Sequence, residues 1–467
     1  MTAAPENRRW WILLGGSLAI LMFTIDVSIV NVALPILAKE FQSSLAVVQW
    51  VILSYVLVVT SLELGAARLG DLWGRKRLFL LGIVLFTVAS VLCGLAGSIE
   101  QLIVFRAIEG LGGVFMAALG IAIATSGFPE AERGKALGLI SAVPPTGIAL
   151  GPTLGGVLIA AFGWRSIFWV NVPIGVLAFL ILYRALKSDR HRAGAGEGFD
   201  YWGCFTFALS LSALILGLTV GQQRGLWHPL PLSLGAIALG SVAVFIRWQL
   251  RSPSPMLNLH IFQSWPVSRS IIGNLLLATV AGGGLFILPF FYTLVVGLSP
   301  YQVGLLLAVP AVANALVSPL SGWAVDRLGD RPVALFGLSL FAIALWGVSQ
   351  FAADTPLLVF VGTLIPYGMG MGFFYPAMNT VIMSRIPQEH VGIGSGLIAL
   401  TLTLGQLLGT PLLGILVLLH TRSASASATL AQLPPHEFNQ GFTSAYYVCI
   451  GLILAGMVMV ALRRNRE

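Results

Sequence analysis

The chain has 467 residues, 57% of them hydrophobic and only 9% charged, where an ordinary soluble domain carries about 25% charge. With a mean hydropathy of +0.91, this balance excludes a soluble enzyme or binding module. The formal net charge of +8 does not read as a nucleic-acid surface, because the lysines and arginines gather in short polar breaks between long apolar runs.

A bilayer crossing takes about 20 apolar residues. About fourteen runs meet that length, starting near Trp10, Leu45, Leu78, Ile99, Ala136, Ser166, Tyr201, Leu230, Val267, Tyr301, Pro332, Pro356, Gly392 and Phe442. An even number puts both termini on one side, and most basic residues then fall on that side, which the positive-inside rule assigns to the cytoplasm. The expectation is an all-α, multi-pass protein of the plasma (inner) membrane with both termini cytoplasmic. The first run is too long for a signal-peptide core, carries an acid and lacks a cleavage site, so it reads as a retained span.

In that first span, Asp26 stands near the middle and Asn31 follows on the way to Pro35. A carboxylate at such depth costs about 2.5–3.5 kcal/mol on insertion scales and so faces a cavity or a partner. Glu63 is a second embedded acid, in the second span; it reads as a proton site or as a side chain snorkelling to the interface. The short loop that follows contains Asp71, Gly74, Arg75, Lys76 and Arg77. Its charges can engage helix termini in one conformation and release them in another, which would make it a gating latch. The alternative is an ordinary basic loop that sets topology.

Arg106 in the fourth span lies at a depth comparable with Asp26, and Glu109 three residues on shares its face. The three form a switchable charge cluster, or else Arg106 and Glu109 neutralise each other within one helix. The fifth span carries Gly147, Gly151, Pro152, Gly155 and Gly156. Small residues at that spacing let a neighbouring backbone approach closely, and proline bends the helix.

After the sixth span comes a polar linker, Ser188 to Asp200, and two further spans before a loop at Arg251–Pro255. The remaining six spans echo the first six. Aligning Asp326 with Asp71 places Gly329 on Gly74 and Arg331 on Lys76, with Arg327 beside them, and Gly405-x3-Gly409 echoes Gly147-x3-Gly151. The expected division is therefore 1–188 as an N-terminal six-helix bundle, 189–265 as linker and inserted pair, and 266–467 as a C-terminal bundle. Parallel repeats of this kind are a transporter arrangement. Tyr367, Met371, Phe374 and Tyr375, on a glycine-notched helix, and Phe290 before it offer adaptable apolar and cation–π contacts and read, with Asn31, as substrate-contacting candidates. Apolar membrane packing is the other reading of the same residues.

Cys93, Cys204 and Cys449 lie in spans without paired spacing, so neither disulfides nor a metal is expected. No P-loop, nucleophile elbow or HExxH is present, which leaves no catalytic residues and no cofactor to expect.

Five runs together resemble the fourteen-span drug:proton antiporter family of the major facilitator superfamily: Asp26–Pro35, Arg68–Arg77, Arg106–Gly113, Gly147–Gly156 and Gly163–Gly175. The resemblance covers essentially the whole chain. It implies two six-helix bundles with two inserted helices, and proton-coupled export by alternating access. It also implies that Asp26 and Arg106 couple protons and that the Gly147–Gly156 run is the antiporter motif. Ala67 and Leu72 depart from the family's loop pattern, which the second copy keeps as Gly322 and Arg327, and Glu109 replaces a usual glutamine. Embedded acids outnumber embedded bases, which favours cationic, amphipathic cargo. The expected partners are a small molecule, protons and the lipid bilayer, with no nucleic acid, and the protein is expected to be a monomer. A dedicated exporter of one metabolite (an antibiotic, amino acid or siderophore) and a non-transporting membrane sensor are the competing readings.

Overall fold

A computed structural model of the protein describes residues 6–129, 132, 136, 139–140, 143–186, 199–252, 255–257, 259–385, 391–419 and 434–462. Among these, fourteen helices are long and apolar enough to cross a membrane, and no strand is present. Numbered in chain order, spans 1–6 are Arg8–Glu40, Leu45–Gly70, Arg75–Leu95, Ile99–Thr125, Val143–Phe162 and Ser166–Ala185. Spans 7 and 8 are Tyr201–Arg224 and Pro229–Gln249. Spans 9–14 are Trp265–Val296, Pro300–Leu328, Asp330–Ser349, Leu357–Ser384, Gly396–Leu419 and Pro435–Ala461.

Helix starts follow local chemistry. The Ser98 side chain accepts from Gln101 N–H at the head of span 4, and Ser299 and Gln302 form a capping box ahead of span 10. Gly74 and Gly329 separate spans 2 and 3 and spans 10 and 11 at φ 98° and 85°, a backbone region costly for any residue with a Cβ. Gly74 N–H donates to Gly70 O at 3.1 Å, and Gly329 N–H to Val325 O at 2.9 Å, so the two turns are built alike.

The likeness extends through the packing. A methyl group at Gly112 would stand 2.7 Å from Gly82 O and overlap the Phe86 backbone; one at Gly370 would stand 2.8 Å from Gly337 O and 2.8 Å from Phe341 N. Gly110 abuts Tyr55 O as Gly368 abuts Pro310 O, and Gly151 abuts Ser28 as Gly409 abuts Gly283. Every equivalent pair is separated by 255 residues in the earlier spans and 258 in the later ones (337−82 = 255; 370−112 = 258). Close helix approach over glycine is the packing device that lipid-embedded helices favour, and here it occurs twice in one register.

The contacts divide the chain into two compact units. One holds the described residues up to Leu37, with Val47–Leu214 and Leu234–Leu257; the other holds Ala38–Ala46, Ile215–Ser233 and the described residues after Leu257. The inserted pair thus contributes to both units instead of standing as a third, with span 7 shared between them at Leu214 and Ile215.

Candidate functional site

In the first unit, five side chains from four spans close a hydrogen-bonded ring. Arg106 Nη1 donates at 2.7 Å to Asp26 Oδ2 and at 2.7 Å to Glu109 Oε2. Asn171 Nδ2 donates at 3.2 Å to Asp26 Oδ1 and at 3.1 Å to Ser90 Oγ. Ser90 Oγ in turn bonds Glu109 Oε1, completing the ring from span 1 through spans 4, 3 and 6. Asp26 and Glu109 are fully buried and Arg106 is 1% exposed. Arg106 Nε also donates to Val51 O at 3.1 Å, and the guanidinium lies 4.3 Å from the Tyr55 ring centre and 5.8 Å from that of Phe168. Cys93 Sγ reaches Glu109 Oε2 at 3.4 Å.

One guanidinium thus faces two carboxylates. With both ionised, the ring carries one net negative charge in a place that disfavours any; with one proton bound it is neutral. Arg106 therefore does more than satisfy Glu109 along its own helix, since the same nitrogen also holds Asp26 across to span 1.

Span 5 seats this ring. A methyl at Gly147 would overlap Thr24, one at Gly151 would overlap Ser28 and lie 3.0 Å from Ile25 O, and one at Gly155 would stand 2.7 Å from Ile29. Pro152 and Gly156 are buried in the same span. The glycine face thus presses on the residues that bracket Asp26, and Ser28 Oγ reaches Gly147 O at 3.4 Å.

The loop residues behave differently in the two copies. Lys76 Nζ donates to Leu186 O, and Arg8 Nε to Ala185 O at 2.6 Å, so two cations cap the C-terminal end of span 6. Gly74 is buried and Arg75 exposed. The side chain of Asp71 lies outside the described residues. In the second copy Asp326 and Arg327 are exposed, with Arg327 stacked 4.4 Å over Trp323, and Gly329 and Arg331 are half-buried. The ion pair there is Arg269 with Asp330, at 3.7 Å.

The aromatic candidates divide. Phe290, Tyr367 and Phe374 are fully buried in the packing of the second unit, where Tyr367 Oη donates to Ala281 O at 3.2 Å. Asn31, Met371 and Tyr375 keep partial exposure. Glu63 is not drawn into the ring: it is buried, and its Oε2 has no hydrogen-bond partner.

Sequence reasoning missed Ser90, Asn171 and Tyr55. Asn171 lies inside the Gly163–Gly175 run, and an amide in an apolar stretch is a usable signal, but its two partners come from spans 1 and 3 and appear only on folding.

The profile of the Major Facilitator Superfamily matches residues 16–296 and 270–467. The chain is 34% identical over 428 residues to Multidrug resistance protein Stp of Mycobacterium tuberculosis, covering 91% of this chain and 77% of that one. It is 31% identical over 413 residues to the Tetracenomycin C resistance and export protein of Streptomyces glaucescens, covering 88% and 76%. It is 29% identical to the Riboflavin transporter RibZ of Clostridioides difficile, covering 86% and 87%. Among solved structures, a bacterial homologue of the human lysosomal transporter Spinster, inward-facing, superposes with a TM-score of 0.73 at 16% identity, covering 98% and 97%.

Proposed function

Because the chain belongs to the major facilitator superfamily, we propose that it is a proton-coupled exporter of amphipathic, cationic compounds, working as a monomer in the plasma membrane by alternating access. The observation that carries the reading is the buried ring of Asp26, Arg106, Glu109, Ser90 and Asn171. A proton entering it cancels one carboxylate and weakens that group's hold on Arg106. Spans 1 and 4 are then free to shift against each other, and the glycine face of span 5 gives span 1 a surface to move on. Loss of the proton on the opposite side restores the ion pair and returns the helices. The Lys76 and Arg8 caps on span 6 hold one of the two states.

Export as the direction is supported by relatives named for drug resistance and for tetracenomycin C export. The riboflavin transporter among the relatives is named for one compound, which favours cargo limited to a single metabolite in the second reading, a dedicated exporter. Proteoliposomes holding an acid-inside gradient separate the readings. Wild type is expected to release protons when challenged with several unrelated lipophilic cations, and Asp26→Asn to be silent. A response to one compound class alone favours the dedicated exporter. Wild-type exchange in Asp26→Asn overturns the coupling role of the ring.

A further inference from the structure

Span 2 concentrates unmet hydrogen-bonding capacity. Ser54, Tyr55, Thr60, Ser61 and Glu63 each carry a buried side-chain oxygen with no partner, and all five lie on this helix. Two of them share a face: Thr60 and Glu63 are three residues apart, so their side chains are neighbours on the helix surface. Thr60 is fully buried and Glu63 is 8% exposed.

Thr60 is unusual for a membrane-embedded threonine. Thr24, Thr87, Thr125, Thr279 and Thr401 each donate their hydroxyl to the carbonyl four residues back. Thr60 Oγ1 forgoes that bond and finds no other. Glu63 Oε2 likewise has no donor, and no described basic side chain pairs with it. Orphaned polar groups in a low-dielectric setting are costly, and an unpartnered carboxylate oxygen one helical turn from an unpartnered hydroxyl leaves acceptor capacity for a donor that carries positive charge.

We propose that Glu63 and Thr60 form a recognition site for the protonated nitrogen of a primary or secondary amine, separate from the Asp26–Arg106–Glu109 ring. The inference rests on the export reading and names the substrate class within it. A bare proton on Glu63 would cancel its charge and supply a single O–H donor, which serves one acceptor at most. An ammonium group brings charge and two or three N–H donors on one atom, enough to serve the carboxylate and the threonine oxygen together. The ring cannot take this role, because both its carboxylates already hold Arg106. A quaternary ammonium ion supplies charge without donors and fits only half of the site.

The test uses the full-length protein in lipid nanodiscs and three probes with one apolar body: 1-naphthylmethylammonium, its N,N,N-trimethyl analogue, and neutral 1-naphthylmethanol. Wild type is expected to bind the primary amine about tenfold more tightly than the trimethyl analogue, as two charge-assisted hydrogen bonds require. Glu63→Gln is expected to lose both cations and keep the alcohol. Thr60→Val is expected to weaken the primary amine alone, and Glu63→Asp to restore part of the cation binding. Thermal melts of each variant establish that it is folded. Equal loss of all three probes in folded Glu63→Gln overturns the proposal. So does unchanged cation binding accompanied by altered proton release, which would make Glu63 a proton site only. If wild type moves no protons yet cation binding depends on Glu63, the recognition site stands and the exchange reading falls. If Asp26-dependent exchange is present and Glu63→Gln binds cations normally, the reverse holds.

Discussion

The two six-span repeats share a frame and differ in what fills it. Gly112 meets Gly82 in the first as Gly370 meets Gly337 in the second, and Gly151 and Gly409 seat their spans in the same way. At the positions of Asp26, Ser90, Arg106 and Glu109, however, the second repeat has Ala281, Leu345, Leu364 and Tyr367 (281−26 = 255; 367−109 = 258). Where the first repeat ties spans 1 and 4 through a guanidinium and two carboxylates, the second ties spans 9 and 12 through neutral bonds, from Tyr367 to Ala281 O and from Asn274 to Asn379. Packing is thus encoded twice and charge chemistry once. Glycines set how closely helices approach, and that requirement is the same in both halves; ionisable groups are expensive in the membrane and persist where a function offsets the cost.

The largest expected effect tests that asymmetry. Asp26→Asn keeps the volume and removes the charge, leaving Arg106 facing one carboxylate. Proton-driven exchange should vanish while the protein still inserts. Tyr367→Phe, at the counterpart of Glu109, removes one neutral hydrogen bond worth about 0.5–1.5 kcal/mol of stability. Exchange in that variant should stay near wild type. Equal loss of exchange in both would break the comparison and place coupling in both halves.

Next in size is the shared frame. Gly151→Leu and Gly409→Leu each force a side chain against the backbone of the facing helix, at Ile25 O and at Thr279 O respectively. Overpacking of this kind costs about 1–3 kcal/mol, and more where backbone cannot yield. Both variants should lose comparable thermal stability in detergent, and both should turn over slowly. The comparison sharpens if Gly151→Leu loses more turnover than Gly409→Leu at equal stability, since only the former displaces the span that carries Asp26.

What could be read from the chain follows the same line. Glycine spacing, the repeated loop and the depth of Asp26 and Arg106 were legible, because each depends on positions along single helices. The closure of the ring was not, since Asn171 and Ser90 acquire their partners only when spans 1, 3, 4 and 6 pack together. The run around Tyr367 and Phe374 shows the limit most plainly. An apolar, aromatic, glycine-notched helix has the same composition whether it lines a cavity or fills a core, and here those two residues are fully buried. The sharing of span 7 between units was also invisible, because nothing in its sequence changes at Leu214.

Asn171 gives the third test. It donates to both Asp26 and Ser90, joining the two arms of the ring, while the Leu345 counterpart of Ser90 offers no polar partner at all. Asn171→Ala should leave the Arg106 ion pairs in place and slow exchange about tenfold, equivalent to about 1.4 kcal/mol. Wild-type rates would reduce the ring to the three charged residues.

The smallest effect lies in the inserted pair, which has no counterpart in either repeat and is held by its own node. Asp200 caps the start of span 7 through Gly203 N–H at 2.8 Å and accepts from Trp248 Nε1 at 2.7 Å, Gln249 Nε2 at 2.7 Å and Met256 N–H at 3.3 Å. Partial burial opposes ionisation, but these four donors outweigh it and hold the carboxyl below the usual aspartate range. A value depressed by folding means that the ionised group stabilises the fold above the ordinary aspartate value of about 3.9, and that this contribution fades as pH falls through the folded value. Loss of such a cap costs about 0.5–2 kcal/mol. Asp200→Ala should therefore melt below wild type at neutral pH, with the gap narrowing on acidification to about pH 3.5, beneath the ordinary aspartate value. A gap that stays constant with pH would mean that the capping geometry, and not the carboxylate charge, fixes the inserted pair. Exchange should be unaffected at neutral pH, because Asp200 bonds to none of the ring residues.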